Sequence, residues 1–113
     1  MRHSQFFGMV RYAVDHGVPV TINTNLTLLK AERTKHLVKS GLDALFFSID
    51  GSTAETYVRI CERAHFERVL SNMERLLETR KQFSSELPHL RLVMVIMRQN
   101  LHELPNLVKL AHQ

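Results

Sequence analysis

Apolar positions in the first fifteen residues recur every three or four places, at Phe6, Met9, Val10, Ala13 and Val14. That spacing gathers them on one side of a helix and predicts one over residues 5–15. His16-Gly17 should end it, because glycine accepts the left-handed backbone of a helix C-terminus. The pattern then becomes the β-branched run Val18-Pro19-Val20-Thr21-Ile22-Asn23, a predicted strand with Pro19 near its start, where a missing amide is tolerated. A helix over residues 30–40 follows, with Ala31, Thr34, Leu37 and Val38 inward and Gly41 as its stop. Residues 42–49, from Leu42 to Ile49, read as a second strand. Its second half is almost continuously apolar, as in a parallel sheet covered on both faces.

Ser52-Thr53-Ala54-Glu55 has the form of a capping box, in which the serine hydroxyl accepts from the Glu55 amide, and it opens a short helix to Ile60. A longer helix over residues 66–82 buries Val69, Met73, Leu76 and Leu77. After the loop at residues 84–88, Leu90 to Met97 forms a third predicted strand. Asn100-Leu101-His102-Glu103 is a second capping box, leading into a final helix. Strands separated by helices of this length form right-handed parallel crossovers. The fold class is therefore α/β: three consecutive βα units on a parallel sheet, within one domain over residues 1–113. Both chain ends fall inside predicted helices, and a three-stranded parallel sheet leaves two apolar edges open. The expected partners are therefore neighbouring βα units, or a second chain, that complete the sheet.

Composition narrows the function classes. With 44% hydrophobic and 23% charged residues, the chain has the make-up of a globular domain. It is shorter than the roughly 250 residues of a closed (β/α)8 barrel. Its apolar runs reach about nine residues, against ~20 for a membrane-spanning helix, and Met1-Arg2-His3-Ser4-Gln5 opens no apolar signal core. Neither a membrane nor secretion is expected. The one cysteine, Cys61, permits no internal disulfide and fits the cytoplasm. It also falls short of the three or four thiolates of an iron–sulfur cluster. The net charge of +4 comes from 15 basic and 11 acidic residues. Arg59, Arg63, Arg68, Arg75, Arg80 and Lys81 share a segment with Glu55, Glu62, Glu67, Glu74 and Glu78. Without stacking aromatics, this reads as a solvated helix face and not as a nucleic-acid stripe.

In parallel α/β folds, ligands bind at the carboxyl ends of the strands. Three polar clusters sit there: Asn23-Thr24-Asn25, Ser48-Ile49-Asp50-Gly51 and Arg98-Gln99-Asn100. Together they offer hydroxyls, amides, one carboxylate and one guanidinium, a set suited to a small zwitterion or a nucleoside. Each also has a plain structural reading: Asp50-Gly51 as a turn, Asn100 as a helix cap.

Four segments, in order, resemble the radical S-adenosylmethionine (radical SAM) superfamily. Ile22-Asn23-Thr24-Asn25-Leu26-Thr27-Leu28-Leu29 is similar to its "TNGTLL" loop, and Ser48 to Tyr57 to its "SIDGxxxExY" segment. Phe66 to Met73 resembles the helix "FexvlxNi", and Val93 to Asn100 with Glu103-Leu104 resembles "vvmrxNxxEl". The match spans residues 18–112 and is closest to the branch with a C-terminal second-cluster (SPASM-type) extension.

The resemblance implies part of a (β/α) TIM-type barrel. It also implies S-adenosylmethionine, a [4Fe-4S] cluster held by a CxxxCxxC loop, and a small-molecule or peptide substrate. In such enzymes the reduced cluster cleaves S-adenosylmethionine to a 5′-deoxyadenosyl radical that abstracts hydrogen. Carried over, Thr24 and Asn25 line the cofactor side of the first loop, and Ser48 bonds the methionine or ribose portion. Asp50 lies near ribose or substrate, and Arg98 near the cofactor carboxylate or in the site wall. No CxxxCxxC occurs in these residues, Leu26 stands where the family has glycine, and Cys61-Glu62-Arg63-Ala64-His65 replaces an "RGG"-like turn. The chain is thus expected to be an internal fragment that supplies cofactor wall and no iron ligands, inactive by itself. The alternative is a non-catalytic α/β half-barrel that docks a partner chain.

Other chemistries have less support. Cys61 and His65 are four residues apart, the spacing of a thiol and its base on a helix, but no third orienting residue is evident. The seven histidines form no HxxH or HExxH pair, and the four glycines are isolated, so no zinc or phosphate-loop motif is present. Met73, Met94 and Met97 read as core filler. A receiver-like or flavin-binding fold needs about five strands, more than this pattern provides.

Overall fold

The computed structural model describes residues 4–48, 63–98 and 100–112, with side chains from Phe66 onward in the second stretch. The Ser52–Glu55 capping box, the short helix to Ile60 and the Cys61/His65 pairing lie outside the described residues.

Helix α1 spans Phe6–Asp15, and its end explains where the first strand begins. Gly17 adopts φ 73° and donates to the Val14 carbonyl, while the Val18 amide reaches back to Ala13 at 2.9 Å. This is a Schellman closure, which satisfies carbonyls that the helix leaves unpaired. Val18 has given its amide to the helix and Pro19 has none, so strand β1 covers Thr21–Thr24 instead of starting at residue 18. Helix α2 is Ala31–Lys39, and strand β2 is Ala44–Ser48. Thr34, Leu37 and Val38 are buried as expected, whereas Ala31 is exposed. In α1, Met9 is 54% exposed, contrary to the inward position its spacing implied, and Phe7 packs instead on the His36 ring.

Helix α3 spans Arg63–Gln82, longer at its start than expected, and strand β3 is His89–Val93. The third strand stops four residues short of Met97. Among the described residues its last partner on β2 is Ser48, opposite Val93. Beyond that point the Asn100 side chain takes the Val95 carbonyl and the Met97 amide, at 2.9 and 2.7 Å. A 3₁₀ turn at Leu101–Glu103 leads into α4, Leu104–Ala111. Pro105 sits in the first turn of α4, where no amide is required.

The three strands are parallel in the order β1-β2-β3, with Thr21 opposite Ala44 and Ala44 opposite His89. One hydrophobic cluster joins Val10 of α1, Leu37 of α2, Leu76 of α3 and Leu107 of α4 to Leu45 and Phe47 of β2. The four helices of the described residues therefore feed a single core on one face of the sheet. That arrangement is a barrel-type progression, unlike the switched strand order of doubly wound sheets. Leu26, Leu37, Leu42, Leu45 and Leu76 are fully buried, and each side chain so placed contributes roughly 1.5–3 kcal/mol. Among the described residues the opposite face is uncovered, against the expectation that both faces of β2 would be buried. Asn23, Ser48, His89 and Arg91 are exposed on it. The sheet is open, with β1 and β3 at its edges. No helix among the described residues is long and apolar enough to cross a membrane.

Gly41 closes α2 at φ 80°, and a Cβ there would lie 3.0 Å from a Val14 methyl group. Gly8 lies within α1 with open space around it. Substituting alanine should therefore act with opposite signs, as urea unfolding would measure. Gly41→Ala should destabilise by about 1–2 kcal/mol or more, and Gly8→Ala should stabilise by roughly 0.5–1 kcal/mol.

Candidate functional site at the strand carboxyl ends

In-register parallel pairing sets Asn23, Phe46 and Arg91 side by side on the uncovered face. Two positions further on, Ser48 and Val93 occupy the same face at the carboxyl ends of β2 and β3. Asn23, Thr24, Phe46, Ser48 and Val93 line a cavity of about 370 Å³. Thr24 and Ser48, both expected as ligand contacts from the sequence, are thus brought together. Phe46 is among the lining residues, and the Arg91 guanidinium lies 5.7 Å from its ring centroid, within cation–π range.

The loop after β1 is organised by its own short side chains. The Thr24 hydroxyl oxygen accepts the Leu26 amide at 3.2 Å. The Asn25 carbonyl oxygen accepts both the Thr27 amide, at 3.2 Å, and the Thr27 hydroxyl, at 2.8 Å. Leu26 adopts φ 59°, a left-handed backbone that suits glycine and costs leucine roughly 1–2 kcal/mol. Its side chain is nonetheless fully buried, so leucine contributes a core group from a glycine-like turn. Helix α3 holds this loop from below. The Asn72 amide nitrogen donates to the Leu26 carbonyl at 2.6 Å, and Arg75 donates to the Leu29 carbonyl at 3.2 Å and to Asn72 Oδ1 at 3.0 Å. Arg75 is half-buried, so it does not belong to the solvated face on which its charge pattern placed it.

The third polar cluster divides. Arg98 is exposed in a turn and does not line the cavity shared by Thr24 and Ser48. Asn100 is 1% exposed, and its side chain makes no cap bond to the following turn. It binds the chain behind it, at Val95 and Met97, which corrects the capping-box expectation. The reason is geometric: residues 101–103 form a 3₁₀ turn in which the Glu103 amide bonds the Asn100 backbone carbonyl at 2.9 Å. Asn25 is exposed beside the cavity without lining it, and Asp50 lies outside the described residues.

Sequence reasoning passed over Phe46, Asn72 and Arg75. Phe46 sits in an apolar run that looked like core, and only its register with Asn23 shows its face. Asn72 is a polar residue at an inward helical position, a signal that was available. A larger cavity, of about 580 Å³, lies between α3, β3 and α4, where Leu70, Met73, Leu77 and Leu110 contribute to its lining. It includes His89, at the amino end of β3, and shares no residue with the strand-end cavity.

A parallel sheet whose strands follow in order, with helices on one face, is consistent with part of a βα-barrel type of fold. The family model of the radical SAM superfamily matches residues 3–111, and the chain belongs to that superfamily. It is 29% identical over 110 residues to the tungsten-containing aldehyde ferredoxin oxidoreductase cofactor-modifying protein of Pyrococcus furiosus, covering 95% of this chain and 30% of that protein. It is 32% identical over 108 residues to the AdoMet-dependent heme synthase of Methanosarcina barkeri, covering 95% of this chain and 29% of that protein. An uncharacterized protein of Methanocaldococcus jannaschii is 34% identical over 65 residues, which is 58% of this chain and 23% of that protein. The chain thus spans less than a third of the length of the curated relatives it matches. No solved structure matches it.

The family uses S-adenosylmethionine and an iron–sulfur cluster, and the two groups fare differently against these residues. The sequence has one cysteine, against the three or four thiolates that a cluster takes, so the residues present do not fit the cluster. Thr24, Ser48 and Phe46, which line the cavity together, supply residue types that suit a polar ligand with one flat portion.

Replacing the buried Asn100 by alanine strands the Met97 amide and the Val95 carbonyl. Asn100→Ala should destabilise the chain by about 1–3 kcal/mol in urea unfolding. Unchanged stability would show that water satisfies those groups equally well.

Proposed function

We propose that this chain forms part of the S-adenosylmethionine-binding wall of a radical SAM enzyme, with Thr24 and Ser48 as contacts in the cavity, Asn25 beside it, and Asp50 and Arg98 added by the family resemblance alone. The observation that carries the reading is the convergence of Thr24 and Ser48 on one strand-end cavity lined also by an aromatic ring. The bonding inside the loop sets the character of the wall. The Thr24 hydroxyl oxygen already accepts the Leu26 amide, which leaves its proton to donate. The Asn25 carbonyl oxygen is occupied by Thr27, which leaves its amide hydrogens. Both residues therefore offer donors, matching the carboxylate or ribose oxygens of the cofactor. Ser48 can donate or accept, and the Phe46 ring gives a nucleoside a flat apolar surface.

In this family S-adenosylmethionine supplies hydrogen-abstraction chemistry after reductive cleavage at a cluster. The residues of this chain would bind and orient it, with the cluster ligands provided from outside these 113 residues. The chain would then be one part of a radical SAM core, its open β1 and β3 edges completed by further βα units or by a second chain. The substrate would be a small molecule or a peptide that meets the cofactor on the uncovered face of the sheet.

Isothermal titration of the chain with S-adenosylmethionine tests the reading. Saturable binding is expected, with Ser48→Ala and Thr24→Val each weakening it by about 3- to 10-fold, the value of one hydrogen bond. A chain that keeps its helical circular dichroism but shows no saturable binding would overturn it.

A further inference from the structure

We propose that Asn72 is a positioning residue for the ligand-binding loop, holding Thr24 and Asn25 in place through the Leu26 carbonyl. The inference rests on the cofactor-wall reading, and deepens it by naming what sets the loop's geometry.

Asn72 lies on α3, 46 positions from the residue it bonds, and is 5% exposed. Its amide nitrogen reaches the Leu26 carbonyl at 2.6 Å while its carbonyl oxygen accepts Arg75 at 3.0 Å. The site demands a side chain with both a donor and an acceptor, because one end meets the carbonyl of the buried Leu26 and the other the half-buried Arg75 guanidinium. Aspartate has the same shape but no donor. Leu26 is where the bond matters most, since its backbone is left-handed at φ 59°. A leucine released from its partner would leave that conformation for a more favourable one. Its neighbours would then move with it, because the Leu26 amide is bonded to Thr24 and the Thr27 amide to Asn25. Arg75 secures the far end of the same loop at the Leu29 carbonyl. The polar pair on α3 thus grips the loop at two carbonyls, and the loop's own hydroxyl and amide groups pass that constraint to the rim. No part of Asn72 or Arg75 lines the Thr24–Ser48 cavity, so their effect on a ligand is exerted through the loop.

The test compares wild-type chain with Asn72→Asp, by residue-resolved amide hydrogen exchange and by titration with S-adenosylmethionine. The expected result is local. Exchange at the Leu26, Thr27 and Leu29 amides should quicken by about tenfold or more, while the β1–β2 ladder amides stay within about twofold of wild type. Affinity for S-adenosylmethionine should fall about tenfold, the scale of a lost hydrogen bond. Unchanged loop exchange would overturn the proposal. So would an equal acceleration throughout the core, which would make Asn72 a general stability residue. If wild-type chain fails to bind S-adenosylmethionine while the loop amides respond as expected, the cofactor reading fails and the loop clamp stands. If Asn72→Asp does not fold, Arg75→Gln carries the same test: faster exchange confined to residues near Leu29, with weaker binding, supports the clamp, and wild-type exchange there overturns it.

Discussion

The bond from Asn72 to the Leu26 carbonyl ties together two parts of the chain that the sheet alone would leave independent. Strands β1 and β2 are joined by ladder bonds, but the loop after β1 lies beyond the last paired residue, Thr24. Nothing in the ladder dictates where that loop goes. Helix α3 does so, by offering an amide and a guanidinium to two of its carbonyls. The buried Leu26 side chain adds hydrophobic contact to the same junction. Polar and apolar contributions thus fix one turn, and the rim of the candidate site is built on that turn.

The rest of the architecture follows from one-sidedness. Because the helices share a core with the inner face of a sequentially ordered sheet, the other face is free to carry polar side chains along its length. Asn23, Phe46 and Arg91 form a row across the three strands, and Ser48 with Val93 extends it toward the carboxyl rim. An ordered row of this kind costs little in a barrel, where it faces a lumen, and would be an odd choice for a sheet with two buried faces. Membership of the radical SAM superfamily accords with this geometry.

The order of elements was legible in the sequence because periodicity changes cleanly from three-to-four to alternating and back. Gly17 and Gly41 marked their helix ends correctly, both at positive φ. Strand limits were less legible. Val18 is β-branched but has its amide drawn back into a helix cap, and Val95 to Met97 are apolar but have backbone groups claimed by Asn100. Propensity cannot register such competition, since the competing partner is a specific amide or side chain elsewhere. The site was legible in part for the same reason. Position at a strand end singled out Thr24 and Ser48, while the facing of Phe46 depended on register and the role of Asn72 on tertiary contact. Arg98 shares the rim by sequence position, yet lies in an exposed turn apart from the cavity those two residues line.

The Schellman closure at Gly17 and Val18 has a consequence of parity. With Val18 tethered to α1, two residues, Pro19 and Val20, separate the fixed helix end from the first strand residue. Side chains in a strand alternate between faces, so this spacer decides whether odd or even positions look toward the helices. As built, Ile22 packs into the core and Asn23 faces outward. One residue more or fewer in the spacer would exchange them, burying the amide and presenting the isoleucine at the rim. The helix cap therefore acts as a counting device, and the chemistry offered by the first strand is set by whether that count is even.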